Sequence, residues 1–266
     1  MTFVRNLLQF GWLQALSCIF PVIIFGTLGL TKVVHIPGLP RYDLILIICV
    51  LAQIGMIVFK LETLDELKVI CMFHIIGLCL ELFKVHMGSW AYPEQAWTKI
   101  YGVPLYSGFM YASVASYICQ AWRRLQLEMV GWPRGWLTVL ICAAIYLNFF
   151  THHFIGDYRW WLTALLFLIF FRTRVHYTLH SQTYRMPLML SFVLIGFFIW
   201  IAENISTFLG AWRYPDQEYK WQLVHIGKIS SWFLLVVISI IIVAQLKHVK
   251  TGLTGHKSDG NEGTVS

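Results

Sequence analysis

Residues 187–209 read PLMLSFVLIGFFIWIAENISTFL, an apolar run whose single charged residue is Glu203. A helix needs about 20 mostly apolar residues to cross a hydrocarbon layer, so this stretch reads as a spanning helix that carries a carboxylate inside it. Such a group is costly in lipid and is retained where it faces a polar cavity or a partner. The residues that follow, GAWRYPDQ at 210–217, have the Gly, Pro, Trp and Tyr that end a helix at a membrane border.

The same punctuation occurs earlier in the chain. Residues 81–95, ELFKVHMGSWAYPEQ, align with residues 203–217, ENISTFLGAWRYPDQ, at a constant offset of 122, sharing Glu, Gly, Trp, Tyr, Pro and Gln with Glu94 opposite Asp216. A match that includes Trp points to an internal repeat. Upstream, RYD at 41–43 and DYR at 157–159 each open a following run.

The whole chain is of one character. Of its 266 residues 58% are hydrophobic and 12% charged, with a mean hydropathy of +0.66, against about 45–50% and about 25% in ordinary soluble domains. Eight apolar runs are bounded by charge, Pro or Gly, at 8–31, 43–59, 67–85, 103–122, 136–154, 157–171, 187–209 and 223–246. The expected fold class is therefore all-α: a polytopic membrane bundle of about eight transmembrane helices, one domain over 1–250. Its two parallel four-helix repeats would cover about 1–124 and 125–250, with a disordered cytoplasmic tail at 251–266. The net charge of +7 is spread over short connections, which argues against a nucleic-acid partner. With eight crossings, twelve Lys and Arg fall on the side of the termini and seven on the other, placing both ends in the cytoplasm of a bacterial inner membrane. The first run is too long for a secretory signal and carries Pro21. The six cysteines lie inside apolar runs without a CxxC pair, so neither a disulfide framework nor a thiolate metal site is expected.

Chemistry-bearing residues gather on the outer side in this topology. Glu81 and Glu203 stand two turns before their loops, and Trp90, Tyr92, Trp212, Tyr214 and Asn204 lie in or beside the matched motifs. The segment NFFTHHFIGDYRW at 148–160 adds Asn148, His152, His153, Asp157 and Arg159 at the same depth. The catalytic candidates are Glu81, Glu203, His152, His153 and Asp157. Substrate contacts are assigned to the four motif aromatics, Asn148, Asn204, Arg159 and Lys228. His153 and Asp157, four residues apart, are candidate ligands for a divalent metal such as zinc or iron. Plainer roles are also open: Lys84 is at i+3 from Glu81 and Lys228 is within reach of Glu203, so each carboxylate has an ion-pair candidate.

On ELFKVHMGSWAYPE, NFFTHHFIGDYRW and ENISTFLGAWRYPDQ the chain resembles the YoaT-like bacterial integral-membrane proteins of unknown function, from the second run through the eighth. A narrower similarity, an acidic residue followed by a W-x-[YF] turn, is to the membrane lycopene cyclases, whose Pro-x-Glu-Glu element is absent here. Three functions follow as expectations: an enzyme acting on a lipid or isoprenoid by carboxylate acid-base chemistry, a proton-coupled transporter, and a non-catalytic lipid-binding protein. Membrane lipids are the expected partners.

Overall fold

A computed structural model describes the backbone of residues 2–258 and the side chains of residues 3–244. In chain order the elements are α1 (Thr2–Ser17), α2 (Ile19–Val33), α3 (Arg41–Val58), α4 (Leu64–His86), β1 (Lys99–Ile100), β2 (Val103–Pro104), α5 (Ser107–Arg124), β3 (Glu128–Val130), α6 (Gly135–Thr151), α7 (Arg159–Phe170), β4 (Arg174–Leu179), β5 (Gln182–Pro187), α8 (Leu188–Phe208) and α9 (Lys228–Ser258). A 3-10 turn, Pro215–Gln217, precedes α9. The helix α9 enters the stretch expected to be a disordered tail and runs to Ser258; the remainder of that stretch lies outside the described residues.

The all-α reading needs correcting in its count. Among the described residues three helices, α3, α4 and α8, are long and apolar enough to cross a membrane, and a fourth span results if α1 and α2 are taken as one. Eight apolar runs did not become eight spanning helices, for local reasons. The helices α6 and α7 fall below span length, as does the part of α9 whose side chains are described, Lys228–Ala244; the 12 residues of α7 rise only about 18 Å. The run at 103–122 is spent partly on the hairpin β1–β2, and its helix α5 buries Ser107, Gly108, Ser113 and Ser116. The helices α1 and α2 meet at Cys18 with a 64° bend. Pro21 has no N–H to give and its ring would meet the carbonyl of Ser17, so a straight helix cannot pass this point.

Two parallel four-helix halves are overturned as well. The antiparallel sheet β3–β4–β5 lies wholly in the second part of the chain and has no counterpart in the first. Its hairpin turns at His180 and Ser181, both with positive φ (46° and 64°), the paired left-handed conformation of a type I′ turn that normally recruits Asn or Gly. Likeness between the two motif stretches is local. The helices α4 and α8 both end at a positive-φ glycine, Gly88 (69°) and Gly210 (75°). Both ends close with the same 6→1 hydrogen bond, Ser89 to the Lys84 carbonyl and Ala211 to the Ser206 carbonyl, 2.9 Å each.

Packing turns on α5, a largely buried helix, with α4 along one side. A Cβ on Gly77 would stand 2.3 Å from the Tyr111 ring, and one on Gly108 2.8 Å from the His74 carbonyl, so glycine at both places lets the two helices close. The helices α8 and α9 pack likewise at Gly196, against the Phe233 backbone. One core joins Phe170, Phe192 and Phe233 at the second part of the chain; another joins Phe20, Tyr42, Tyr106 and Trp212.

A candidate site with two buried carboxyls

Glu81 is 3% exposed, near the end of α4. That helix starts from a capping box in which Thr63 and Glu66 bond each other's backbone N–H. After Gly88 the chain doubles back, and its first two aromatics return to the helix. Trp90 Nε1 donates to Glu81 Oε2 at 2.7 Å and Tyr92 OH to the same oxygen at 2.8 Å. From α5, Tyr111 OH donates to Oε1 at 2.8 Å, a reach made possible by the bare backbone of Gly77.

Glu203, 2% exposed, is held in a related way. Tyr214 OH donates to its Oε1 in a short hydrogen bond, and Trp232 Nε1, from α9, donates to Oε2 at 2.7 Å. The two motif segments touch directly: Ala91 and Arg213 exchange backbone hydrogen bonds of 2.9 Å in an isolated antiparallel bridge. Their numbers differ by 122, so the bridge joins equivalent positions of the sequence match. Arg41 secures this contact, bonding Glu94 Oε1 at 2.6 Å and the carbonyls of Leu209 and Gly210 at 2.7 and 3.2 Å.

Neither carboxylate has a basic nitrogen within 4 Å among the described residues. Lys228 lies instead over two aromatic faces, 4.5 Å from the Tyr214 ring centroid and 5.5 Å from that of Trp90, a cation–π seat between the two motifs. Lys84 turns away toward the end of α6.

Glu81 and Glu203 line the same cavity, of about 740 Å³. Trp90, Trp212, Tyr214 and Trp232 surround the carboxyls, and the remaining wall is mostly apolar. It follows α5 from Met110 to Trp122 and the capping residue Leu125, 15 residue steps or about 22 Å. The opposite wall is α8, from Leu188 to Ser206, with Phe10, Cys18 and Phe25 of the bent pair α1–α2 closing a third side. Tyr177 and Met186 of the sheet line its far end.

The third segment forms a separate cluster. Asn148 accepts from the Tyr158 backbone at 3.0 Å and lies 3.4 Å from Asp157 Oδ1; Arg159 Nε donates to Asp157 Oδ2 at 2.6 Å. Arg159 also reaches Ser230 and Ser231 of α9, at 3.4 and 3.2 Å. Burial pushes the Asp157 carboxyl up, but Arg159 outweighs it and holds it below the usual carboxylate range. His152 and His153 gather on Lys84, with His153 Nε2 at 3.1 Å and His152 Nε2 at 3.3 Å. Desolvation first, then the Lys84 charge, lowers both imidazoles below their ordinary value of 6.5. Asn204 is committed to its own fold, accepting from the Val224 backbone at 2.8 Å and donating to the Trp200 carbonyl at 2.8 Å. No group of three or more His, Cys, Asp or Glu near enough to hold a metal ion occurs among the described residues.

Of the residues singled out from sequence, Glu81, Glu203, Trp90, Trp212 and Tyr214 line the cavity, and Tyr92 holds Glu81 from behind it. His152, His153, Asn148, Asp157, Arg159, Asn204 and Lys228 lie outside its lining. Tyr111 and Trp232, aromatics within helices, carry no distinguishing signal in the sequence, and Arg41 shows there only as a topology charge and as the start of the RYD that opens its run.

Residues 6–240 match the family described as "Protein of unknown function (DUF817)". The chain belongs to this family. It is 63% identical over 250 residues to "Uncharacterized protein YoaT" of Bacillus subtilis (strain 168), covering 94% of this chain and 95% of that one. No solved structure matches. The family, the bacterial relative and the apolar helices α3, α4 and α8 agree with the resemblance in the motifs and with a bacterial protein at least partly associated with a membrane.

Proposed function

We propose that this protein is a membrane enzyme that rearranges a lipid or isoprenoid by proton transfer between two carboxyl groups. The observation that carries the reading is that Glu81 and Glu203, each nearly fully buried, line one apolar cavity. A buried acid without a basic partner is costly to keep, and an apolar chamber with two of them suits a substrate that is mostly hydrocarbon. Glu81, held by three donors, is the proton acceptor; Glu203 is the donor, giving up a proton at one carbon of the substrate while Glu81 removes one from another. The reaction is then a net isomerisation. The aromatic rings around the carboxyls exclude water and face any positive charge that develops between the two steps. The outer leaflet of the cytoplasmic membrane, with both termini inside, is the proposed setting, because Arg123, Arg124, Arg172, Arg174 and Arg185 gather at the sheet end, away from the carboxyls. A divalent metal held by His153 and Asp157 has no support from their hydrogen bonds, which go to Lys84 and to Arg159.

The test is a comparison of lipid extracts from cells overproducing the wild type, Glu81→Gln and Glu203→Gln, by chromatography and mass spectrometry. A lipid that changes with the wild type alone supports the reading. Equal conversion by either Gln variant refutes the acid-base assignment, and movement of an unchanged compound across proteoliposomes would make the protein a transporter.

A further inference from the structure

Lys84 carries a buried charge with no anion beside it. The residue is 6% exposed, one turn beyond Glu81 on α4, yet among the described residues no carboxylate oxygen lies within 4 Å of its ammonium. Its neighbours are imidazoles. His152 Nδ1 lies 3.0 Å from the Asn148 carbonyl, which accepts only if the proton is on Nδ1, and this leaves Nε2, 3.3 Å from Lys84 Nζ, to accept. His153 offers Nε2 at 3.1 Å. Two neutral acceptors therefore take two of three ammonium protons. The two rings stand 4.0 Å apart, His152 half-buried and His153 exposed, between the ammonium and the exposed turn at Phe154 and Ile155.

The surrounding charge has one sign in excess. Lys228 and Arg159 add positive potential at Lys84, and the acid that faces it, Asp157, is already engaged by Arg159 at 2.6 Å. An uncompensated ammonium beside two protonatable imidazoles is a seat for an anion with several oxygens, which can accept from the third ammonium proton and from both rings once they are charged. We infer that Lys84, His152 and His153 form a binding site for an anionic phosphate group. The group is either inorganic phosphate or the headgroup of a lipid such as phosphatidate. This site stands independently of the carboxyl chemistry, since none of its three side chains lines the cavity.

Titration of inorganic phosphate into the full-length protein in neutral detergent, followed by the imidazole nitrogen resonances, tests the site. His152 and His153 are expected to shift together while His74 and His225 stay still. Lys84→Met should weaken binding about tenfold or more, the scale of one lost charge-assisted hydrogen bond; His153→Gln, which keeps a hydrogen-bonding side chain, should weaken it less. The same titration in nanodiscs of phosphatidylcholine with and without phosphatidate identifies the source. A response at lower phosphatidate than phosphate concentration assigns the site to the lipid headgroup, and the reverse order assigns it to the free ion. No response to either probe, or an unaltered response in Lys84→Met, overturns the inference.

Discussion

Glu81 accepts three hydrogen bonds, from the buried Tyr92 and Tyr111 and the half-buried Trp90, so its removal leaves three donors without an acceptor. Each orphaned donor costs about 1–3 kcal/mol, and Glu81→Ala should lower stability by at least about 3 kcal/mol, read as a depressed thermal unfolding midpoint in detergent. Glu81→Gln keeps an acceptor oxygen and should unfold close to the wild type, which separates loss of function from loss of fold. His152 and His153 bring a second residue-scale expectation. Their folded-state values are held below 6.5, by desolvation and then by Lys84, so the unfolded chain binds more protons. Their contribution is fully present above 6.5 and is lost as pH falls below it. The unfolding midpoint should fall over that window, and Lys84→Met should flatten the fall. A midpoint indifferent to pH there, or equally steep in the variant, contradicts the assignment. Lys84 also shows why a sequence neighbour is not a partner: at i+3 it was a candidate ion pair for Glu81, but its side chain leans on α6, where Phe83 meets Phe150 and His153.

The pair α4 and α5 depends on missing side chains. At Gly77 an added methyl would stand 2.3 Å from Tyr111 Cγ, so Gly77→Ala should push the helices apart, cost about 1–3 kcal/mol and lift Tyr111 off Glu81. Gly26→Ala, whose Cβ would meet nothing within 4 Å, is the control and should unfold like the wild type. The helix α8 was legible because one carboxylate interrupts an otherwise uncharged run, and the motif turns because Gly, Pro, Trp and Tyr mark helix ends. The short helices were not, because hydropathy counts apolar residues without locating where the backbone stops turning: β2 and α5 share one run, and α7 ends after 12 residues. Nor was the hairpin β4–β5, whose turn uses His180 and Ser181 where Asn-Gly would have announced it. At the site both carboxyls could be read from the cost of burying them. Tyr111 and Trp232 could not, since an aromatic in a helix has the same pattern whether it fills a core or holds an acid.

Across the whole molecule the site and the sheet mark opposite ends of one long cavity, with the motif turns around its carboxyl end and Tyr177 at the other. The proposed orientation puts the motif turns outside. A cysteine placed at Tyr101 or Tyr219, 91% and 98% exposed, should react with a membrane-impermeant maleimide on intact cells, whereas one at the hairpin tip, His180, should react only after permeabilisation. The reverse pattern would invert the protein. The central claim, that two distant motifs converge to bring Glu81 and Glu203 to one chamber, is tested most directly at the bridge between Ala91 and Arg213. Residues that exchange both backbone hydrogen bonds across antiparallel strands have Cα atoms about 5.5 Å apart, within disulfide range. With the six native cysteines replaced, Ala91→Cys combined with Arg213→Cys should oxidise to an intramolecular disulfide in nearly all molecules, visible as a mobility shift reversed by reductant. If the pair stays reduced under mild oxidant while the protein remains folded, the motifs do not meet and the shared chamber does not exist.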